Sequence, residues 1–204
     1  MSKSNLQDLL LDFPFELILG SASPRRQELL GSLGFKYKLC PTHADENFPE
    51  HLKAQEIPLY LAEVKANAYT KLLGKQELLI TADTIVWCEG KVYNKPENYE
   101  QGMTMLRALG GKMHEVFTAV CFKSATKQIS FYDTSKVYFK EFSDEEIAYY
   151  LTKYQPYDKA GGYGVQDWIG YIGIDKIEGS FYNVMGLPVK KVYEELIKFN
   201  SSHI

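Results

Sequence analysis

The chain has 204 residues, of which 45% are hydrophobic and 24% charged, and its formal net charge is −3. These values predict a soluble globular protein of one domain, large enough to bury a sizeable core. No stretch of the sequence approaches the roughly 18 uninterrupted apolar residues that a membrane span needs. Asp8 and Asp12 interrupt the apolar stretch at the N-terminus, so no secretory signal is expected. The acidic balance argues against a protein that coats long nucleic acid.

The three cysteines, Cys40, Cys88 and Cys121, are far apart and form no Cys-x-x-Cys pair. An odd number at such spacing disfavours structural zinc and a disulfide framework. A reducing cytoplasm is therefore the expected location.

Strand-like and helix-like segments alternate along the first part of the chain. We predict a strand at 16–20, a helix from Pro24 to Gly34 with Ser23 as N-cap, a strand at 35–40, a polar loop at 41–58 and a helix at 59–73.

The same alternation continues to the C-terminus. We predict strand segments at 78–82 and 84–88 interrupted by Asp83, a hairpin through Glu89 and Gly90 into 91–93, a helix at 97–109, an antiparallel pair at 114–123 and 128–140, a capping-box helix at 143–154, a strand at 168–177 and a helix at 188–199. This pattern predicts an α/β protein with a mixed central sheet flanked by helices.

The turn from the first strand to the first helix carries Ser21, Arg25 and Arg26. A helix N-terminus attracts anions, and two arginines at its positive end are unfavourable unless an anion offsets them. A polyphosphate would accept forked hydrogen bonds from both. The alternative is a surface helix with two solvated arginines.

Asp83 lies between the apolar runs Leu78–Ile80 and Ile85–Trp87, so it is expected to be buried at the end or bend of a strand. A buried carboxylate needs a cation, a metal or hydrogen-bond donors. The hairpin that follows returns Lys95 towards it. Such a pair suits water activation beside a metal-bound phosphate, and the alternative is a structural ion pair.

The segment 158–166 combines Lys159, three glycines and Gln166. Glycines permit a close approach of the backbone to a ligand, and the Gln166 amide could read the edge of a base. The alternative is an ordinary glycine-rich turn.

Taken together, these groups resemble the Maf family of nucleoside triphosphate pyrophosphatases. The motifs are Leu19–Leu30, Ala82–Thr84 with Asn94–Pro96, His114–Thr118, Asp158–Gly161 and Gly186–Pro188. The likeness runs from Leu17 to about Leu196, which makes 1–204 a single Maf-like domain with residues 1–15 as an N-terminal extension. Segments 158–166 and 179–186 look like the subfamily that acts on dTTP and UTP, although Asp167 stands where that subfamily often has glycine.

The resemblance implies a two-lobed fold like that of the inosine triphosphatases, hydrolysis between the α and β phosphates, and a divalent cation, Mg²⁺ or Mn²⁺. It implies that Asp83 is the proton acceptor and that Glu46 lies with Asp83 near the metal. The implied phosphate-contacting or nearby polar and basic residues are Ser21, Arg25, Arg26, Lys65, Lys95 and Lys159. The implied base-preference residues are Arg25, Thr84 and Gln166.

The implied role is removal of unwanted nucleotides from the pool, and the family makes a homodimer plausible. Two other hypotheses stay open. One is a pyrophosphatase for modified purine nucleotides such as 7-methyl-GTP, and the other is a non-catalytic nucleotide sensor in cell division. A pure binder needs the cations but not a base, so Asp83, Lys95 and Glu46 together favour catalysis.

Overall fold

The computed structural model describes residues 13–201, with side chains through Phe199. The strands are β1 (Glu16–Leu19), β2 (Tyr37–Leu39), β3 (Glu77–Cys88), β4 (Lys91–Tyr93), β5 (Met113–Lys123), β6 (Gln128–Phe139) and β7 (Ile174–Glu178). The helices are α1 (Pro24–Gly31), α2 (Glu56–Asn67), α3 (Tyr99–Leu109), α4 (Asp144–Tyr154), α5 (Trp168–Gly173), α6 (Phe181–Met185) and α7 (Val189–Ser201), with a 3-10 turn at Ala160–Gly162.

The described strands form one mixed sheet in the order β2-β1-β3-β5-β6-β7, with β4 also paired to β3. Strand β1 runs parallel to β2 and β3, and the other pairs are antiparallel. Helices cover the sheet, so the prediction of a mixed α/β fold is confirmed. The single-domain boundary stays a prediction, and the N-terminal part of the proposed extension, residues 1–12, lies outside the described residues.

The edge of β3 is left open in its middle. On one side, β1 pairs with residues 77–80 and β4 pairs with residues 86–88. Neither strand reaches residues 81–85, whereas β5 pairs with β3 continuously from Leu79 to Trp87 on the other side. Because both short strands stop early, a gap forms beside Asp83.

Two apolar clusters occupy one face of the sheet. The first packs α1 and α7 against Leu78, Ile80 and Ala82 of β3, and the second packs α3, α4 and α5 against Val86 and Cys88. All five β3 residues have even numbers, so they share one face. Helix α2 covers the opposite face through two smaller clusters. A cleft therefore opens between the two larger clusters, next to the gap in β3.

Three of the predicted elements are wrong in part. Residues 168–173 are helical, because Ile169, Gly170 and Gly173 are buried on one helical face while Tyr171 is exposed. Helix α2 begins three residues before the predicted start, because Pro58 is accommodated in the first turn, where no intrahelical N–H bond is needed. It ends at Asn67, before the predicted end at residue 73.

The third error concerns Asp83, which does not interrupt a strand. β3 is continuous through it because β5 provides an unbroken antiparallel partner. The capping box of α4, the hairpin at Glu89 and Gly90 and the β5–β6 pair are confirmed. Ser23 occupies the N-cap position of α1 as predicted, but its side chain makes no capping bond.

Candidate active site

The cleft collects every site residue that the sequence suggested. Its cavity volume is about 220 Å³. The residues brought together are Ser21, Arg25, Arg26, Glu46, Lys65, Asp83, Thr84, Lys95, Lys159 and Gln166. They come from segments up to 145 positions apart (166 − 21), so the fold and not local sequence assembles the site.

Asp83 forms an ion pair with Lys65 of α2. Lys65 Nζ lies 2.6 Å from Asp83 Oδ1 and 2.9 Å from Glu46 Oε1, and the side chains of Lys65 and Asp83 are only 12% and 9% exposed. Asp83 reaches Lys65 because odd-numbered β3 residues face α2. Asp83 Oδ2 accepts no hydrogen bond from residues 13–201, so one carboxylate oxygen is available to a ligand or water.

Lys95 was expected to lie near Asp83, but its ion pair is with Glu46. Lys95 Nζ instead lies 3.0 Å from Glu46 Oε2 at a half-exposed position. Strand β4 pairs with β3 only at residues 86–88, so the chain has left the sheet before Lys95. Lys95 still lines the same cleft.

Glu46 is held ionised by its two lysines. Burial raises the pKa of Glu46, but the hydrogen bonds and positive charges of Lys65 and Lys95 outweigh it and lower the pKa to about 2. Glu46 and Asp83 thus form a pair of carboxylates joined by one ammonium group.

The Arg26 guanidinium donates hydrogen bonds to three acceptors of the protein. Its Nε donates to the Gly186 carbonyl at 2.9 Å, Nη1 to the Ala82 carbonyl at 2.9 Å, and Nη2 to Thr84 Oγ1 at 3.1 Å. Burial lowers the pKa of Arg26, with Asp83 opposing that effect. The guanidinium fills the gap beside β3, and two of its five N–H groups are left for a ligand.

Arg25 forms an ion pair with Asp158 across the cleft. Its Nη1 lies 2.7 Å from Asp158 Oδ2, and Lys159 Nζ lies 2.9 Å from the other oxygen of the same carboxylate. Burial raises the pKa of Asp158, but Lys159 and Arg25 outweigh it, so the pKa lies below its ordinary value. Asp158 was not predicted as a site residue, although its position directly before Lys159 in one motif was the available signal.

The glycine-rich segment is fastened to the core beside the cleft. The Tyr150 hydroxyl donates to Asp167 Oδ2 at 2.7 Å and accepts the Gly164 N–H at 3.0 Å. Gly161 has φ +69°, and a Cβ there would lie 2.9 Å from Val86 Cγ2, so only glycine fits. Gln166 Oε1 is buried in the cleft wall and has no hydrogen-bond partner in the described chain.

The donor set suits a divalent cation that arrives with phosphate ligands. Residues 13–201 contain no group of three or more His, Cys, Asp or Glu side chains that could hold a metal ion. Two carboxylates, Glu46 and Asp83, nevertheless line one cleft with several cations. Mg²⁺ commonly binds through one or two carboxylates together with substrate phosphates and waters.

Within the part of the chain that the structure describes, no helix has the length and apolar character to cross a membrane.

Residues 16–199 match the family described as Maf-like protein, and the chain belongs to that family. A dTTP/UTP pyrophosphatase from Bacteroides thetaiotaomicron is 54% identical over 186 residues, covering 90% of this chain and 96% of that protein. A second protein of that name, from Parabacteroides distasonis, is 50% identical and covers 91% and 96%. The predicted resemblance is thereby confirmed.

A weaker likeness is found among solved structures. The Staphylococcus aureus Ham1 protein superposes with a TM-score of 0.41 and 12% identity, over 62% of this chain and 72% of that one. A likeness at this level supports no conclusion about this chain.

Proposed function

We propose that this chain hydrolyses dTTP and UTP to the nucleoside monophosphate and pyrophosphate. The observation that carries the proposal is the cleft itself, where Arg25, Lys65, Lys95 and Lys159 lie around the buried carboxylate of Asp83. Hydrolysis of a phosphoanhydride depends on positioning and on neutralisation of phosphate charge, and this cleft supplies both. Relatives at about half identity that bear the name dTTP/UTP pyrophosphatase support the substrate.

Asp83 is the proposed base. Its free Oδ2 accepts a proton from a water molecule as the water oxygen bonds to the α-phosphorus. The bond between that phosphorus and the oxygen bridging to the β-phosphate breaks, and pyrophosphate leaves with the bonding electron pair. Lys65 holds the Asp83 carboxylate through Oδ1, which directs Oδ2 towards the cleft.

The cationic side chains are proposed to bind the triphosphate. Arg25, Lys95 and Lys159 already pair with carboxylates in the cleft wall, so each is held near the place where phosphate charge would be neutralised. Ser21 and the remaining N–H groups of Arg26 complete this set at the start of α1.

Glu46 and Asp83 are the residues that would hold a divalent cation, Mg²⁺ or Mn²⁺. When bound, such a cation neutralises phosphate charge and lowers the pKa of nearby water. We further propose a cytoplasmic location, a role in clearing unwanted nucleotides and assembly as a homodimer.

The test is a panel of nucleoside triphosphates with detection of pyrophosphate. We expect release from dTTP and UTP, and slower release from purine triphosphates. Faster turnover of 7-methyl-GTP than of dTTP would contradict the substrate assignment. Nucleotide binding without pyrophosphate release would identify a sensor and contradict the enzymatic proposal.

A further inference from the structure

The cleft contains a carboxylate to which the proposed reaction assigns no role. Among the described residues that line it, the carboxylates are Glu46, Asp83 and Asp158. Glu46 and Asp83 are the proposed cation ligands, and Asp83 is the proposed base. Asp158 instead contacts two of the cations that are proposed to bind phosphate, because Arg25 Nη1 and Lys159 Nζ lie 2.7 and 2.9 Å from its two carboxylate oxygens.

The side chain of Asp158 can separate from these cations at little cost. It is 57% exposed, whereas the side chains of Arg25 and Lys159 are 21% and 14% exposed. An exposed ion pair adds little to stability, because water solvates the carboxylate almost as well once it has separated. Asp158 can therefore turn into water while Arg25 and Lys159 stay in the cleft wall.

Both cations keep another acceptor when the Asp158 carboxylate turns away. Arg25 Nη2 lies 3.5 Å from the main-chain carbonyl oxygen of Asp158, and Lys159 Nζ lies 3.8 Å from Asp167 Oδ2. The Asp167 carboxylate is itself held by the Tyr150 hydroxyl at 2.7 Å. The positions of the two cations therefore do not depend on the Asp158 carboxylate alone, and its main effect on an incoming anion is its negative charge.

A phosphate group that binds Arg25 and Lys159 meets this charge. Phosphate oxygens accept the same charge-assisted hydrogen bonds that the Asp158 carboxylate accepts. Two anions a few ångströms apart repel each other, so the phosphate binds most tightly when the carboxylate has turned away. Pyrophosphate has no base or sugar to add contacts, so this competition acts most directly on its affinity.

We propose that Asp158 competes with phosphate for Arg25 and Lys159 and thereby weakens the binding of the pyrophosphate product. The inference rests on the proposed function, since it assumes that these two cations bind phosphate groups. It gives Asp158 an effect opposite to that of a residue that positions the cations. Loss of the Asp158 charge tightens pyrophosphate binding in the first case and weakens it in the second.

The experiment measures the binding of inorganic pyrophosphate by calorimetry at neutral pH and low salt, with a chelator present so that no divalent cation contributes. Asp158→Asn removes the charge but keeps the shape and one acceptor oxygen. We expect its Kd for pyrophosphate to fall about tenfold, the effect of removing one like charge beside a partly exposed anion site. Asp158→Glu keeps the charge and should bind pyrophosphate as wild type does.

The matched control is Asp144→Asn, which removes the same charge from an exposed ion pair with Arg107, outside the residues that line the cleft. Its affinity for pyrophosphate should stay near that of wild type, and thermal unfolding tests that every variant is folded. An equal tightening in Asp144→Asn, or unchanged or weaker binding in folded Asp158→Asn, overturns the inference. Should Asp158→Asn not fold, Asp158→Ser replaces it.

Inhibition of dTTP hydrolysis separates this inference from the proposed function. Pyrophosphate should inhibit Asp158→Asn at a concentration about tenfold lower than it inhibits wild type. Hydrolysis of dTTP with the same inhibition in both proteins overturns the inference alone. Wild type that does not hydrolyse dTTP overturns the proposed function, while tighter pyrophosphate binding in Asp158→Asn would still support competition by Asp158. Failure of both proteins to bind pyrophosphate overturns the inference and the proposed phosphate site together.

Discussion

Lys65 Nζ lies 2.6 Å from Asp83 Oδ1, in a pair whose two side chains are both nearly buried. The contact joins α2 to the open edge of β3, and the same ammonium also contacts Glu46. One lysine therefore holds two carboxylates at the position where the chain is proposed to bind a cation and activate water.

Replacing Asp83 by Asn should leave the fold intact and reduce turnover at least about 100-fold, because the amide keeps the shape but is not a base. Pyrophosphate release from dTTP measures the loss, and thermal unfolding tests the fold. A rate near that of wild type would show that Asp83 is not the base.

Replacing Lys65 by Met should lower the free energy of unfolding by about 1–3 kcal/mol, because Asp83 is then a poorly hydrated carboxylate without its cation. Urea unfolding is the measurement. The matched control is Lys95→Met, whose half-exposed pair with Glu46 should contribute less than about 1 kcal/mol. Equal losses of unfolding free energy in the two variants would contradict the larger stabilising contribution expected of Lys65.

His114 should make the protein less stable in mild acid. It is buried against Phe139 and its Nε2 lies 2.7 Å from the Tyr163 hydroxyl. Burial lowers the pKa of His114 from 6.5 to about 3. Between these values the unfolded chain binds a proton that the folded chain does not, so stability is lost as the pH falls below 6.5.

The expected loss from this one group between pH 7 and pH 5 is about 2 kcal/mol. Urea unfolding of wild type and His114→Gln at both pH values measures it, with exposed His51→Gln as control. The loss should shrink in His114→Gln and persist in His51→Gln. The same loss in all three proteins would refute the assignment.

Tyr150→Phe should destabilise the protein by about 1–3 kcal/mol, because Asp167 and the Gly164 N–H lose their buried partner. The segment that carries Gln166 should loosen with it, which raises KM for dTTP. Tyr149→Phe is the control, since that neighbouring tyrosine is 44% exposed and contacts only Lys153 through its hydroxyl among the described hydrogen bonds. Similar effects from both tyrosines would count against the fastening role.

Replacing Gln166 by Ala should change base selectivity more than stability. Removal of the buried Gln166 amide oxygen breaks no hydrogen bond within the described chain, because that oxygen has no partner there. We expect the ratio of pyrimidine to purine triphosphate hydrolysis to fall, while the melting temperature moves little. The nucleotide panel measures the ratio, and an unaltered preference would remove Gln166 from the base site.

Local patterns in the sequence were sufficient for most of the helices and strands. Helix α4 follows from its capping box, the β3–β4 hairpin from Glu89 and Gly90, and the α/β class from the alternation of strands and helices. Interactions within a few residues determine these features, so a short window of sequence contains them. The strand predicted at 168–177 is wrong over residues 168–173, because a short apolar run suits a helix or a strand until its burial is known, and it is confirmed over residues 174–177.

The tertiary structure alone decided which groups meet. Asp83 pairs with Lys65 and not Lys95 because α2 packs on the face to which Asp83 points, while β4 diverges. The link from Arg26 through Thr84 and Thr118 to Asn183 spans segments far apart in the chain. Sequence by itself determined which chemical groups this protein possesses. Their partners depend on strand register and helix packing, which arise only when distant segments bury their apolar faces together.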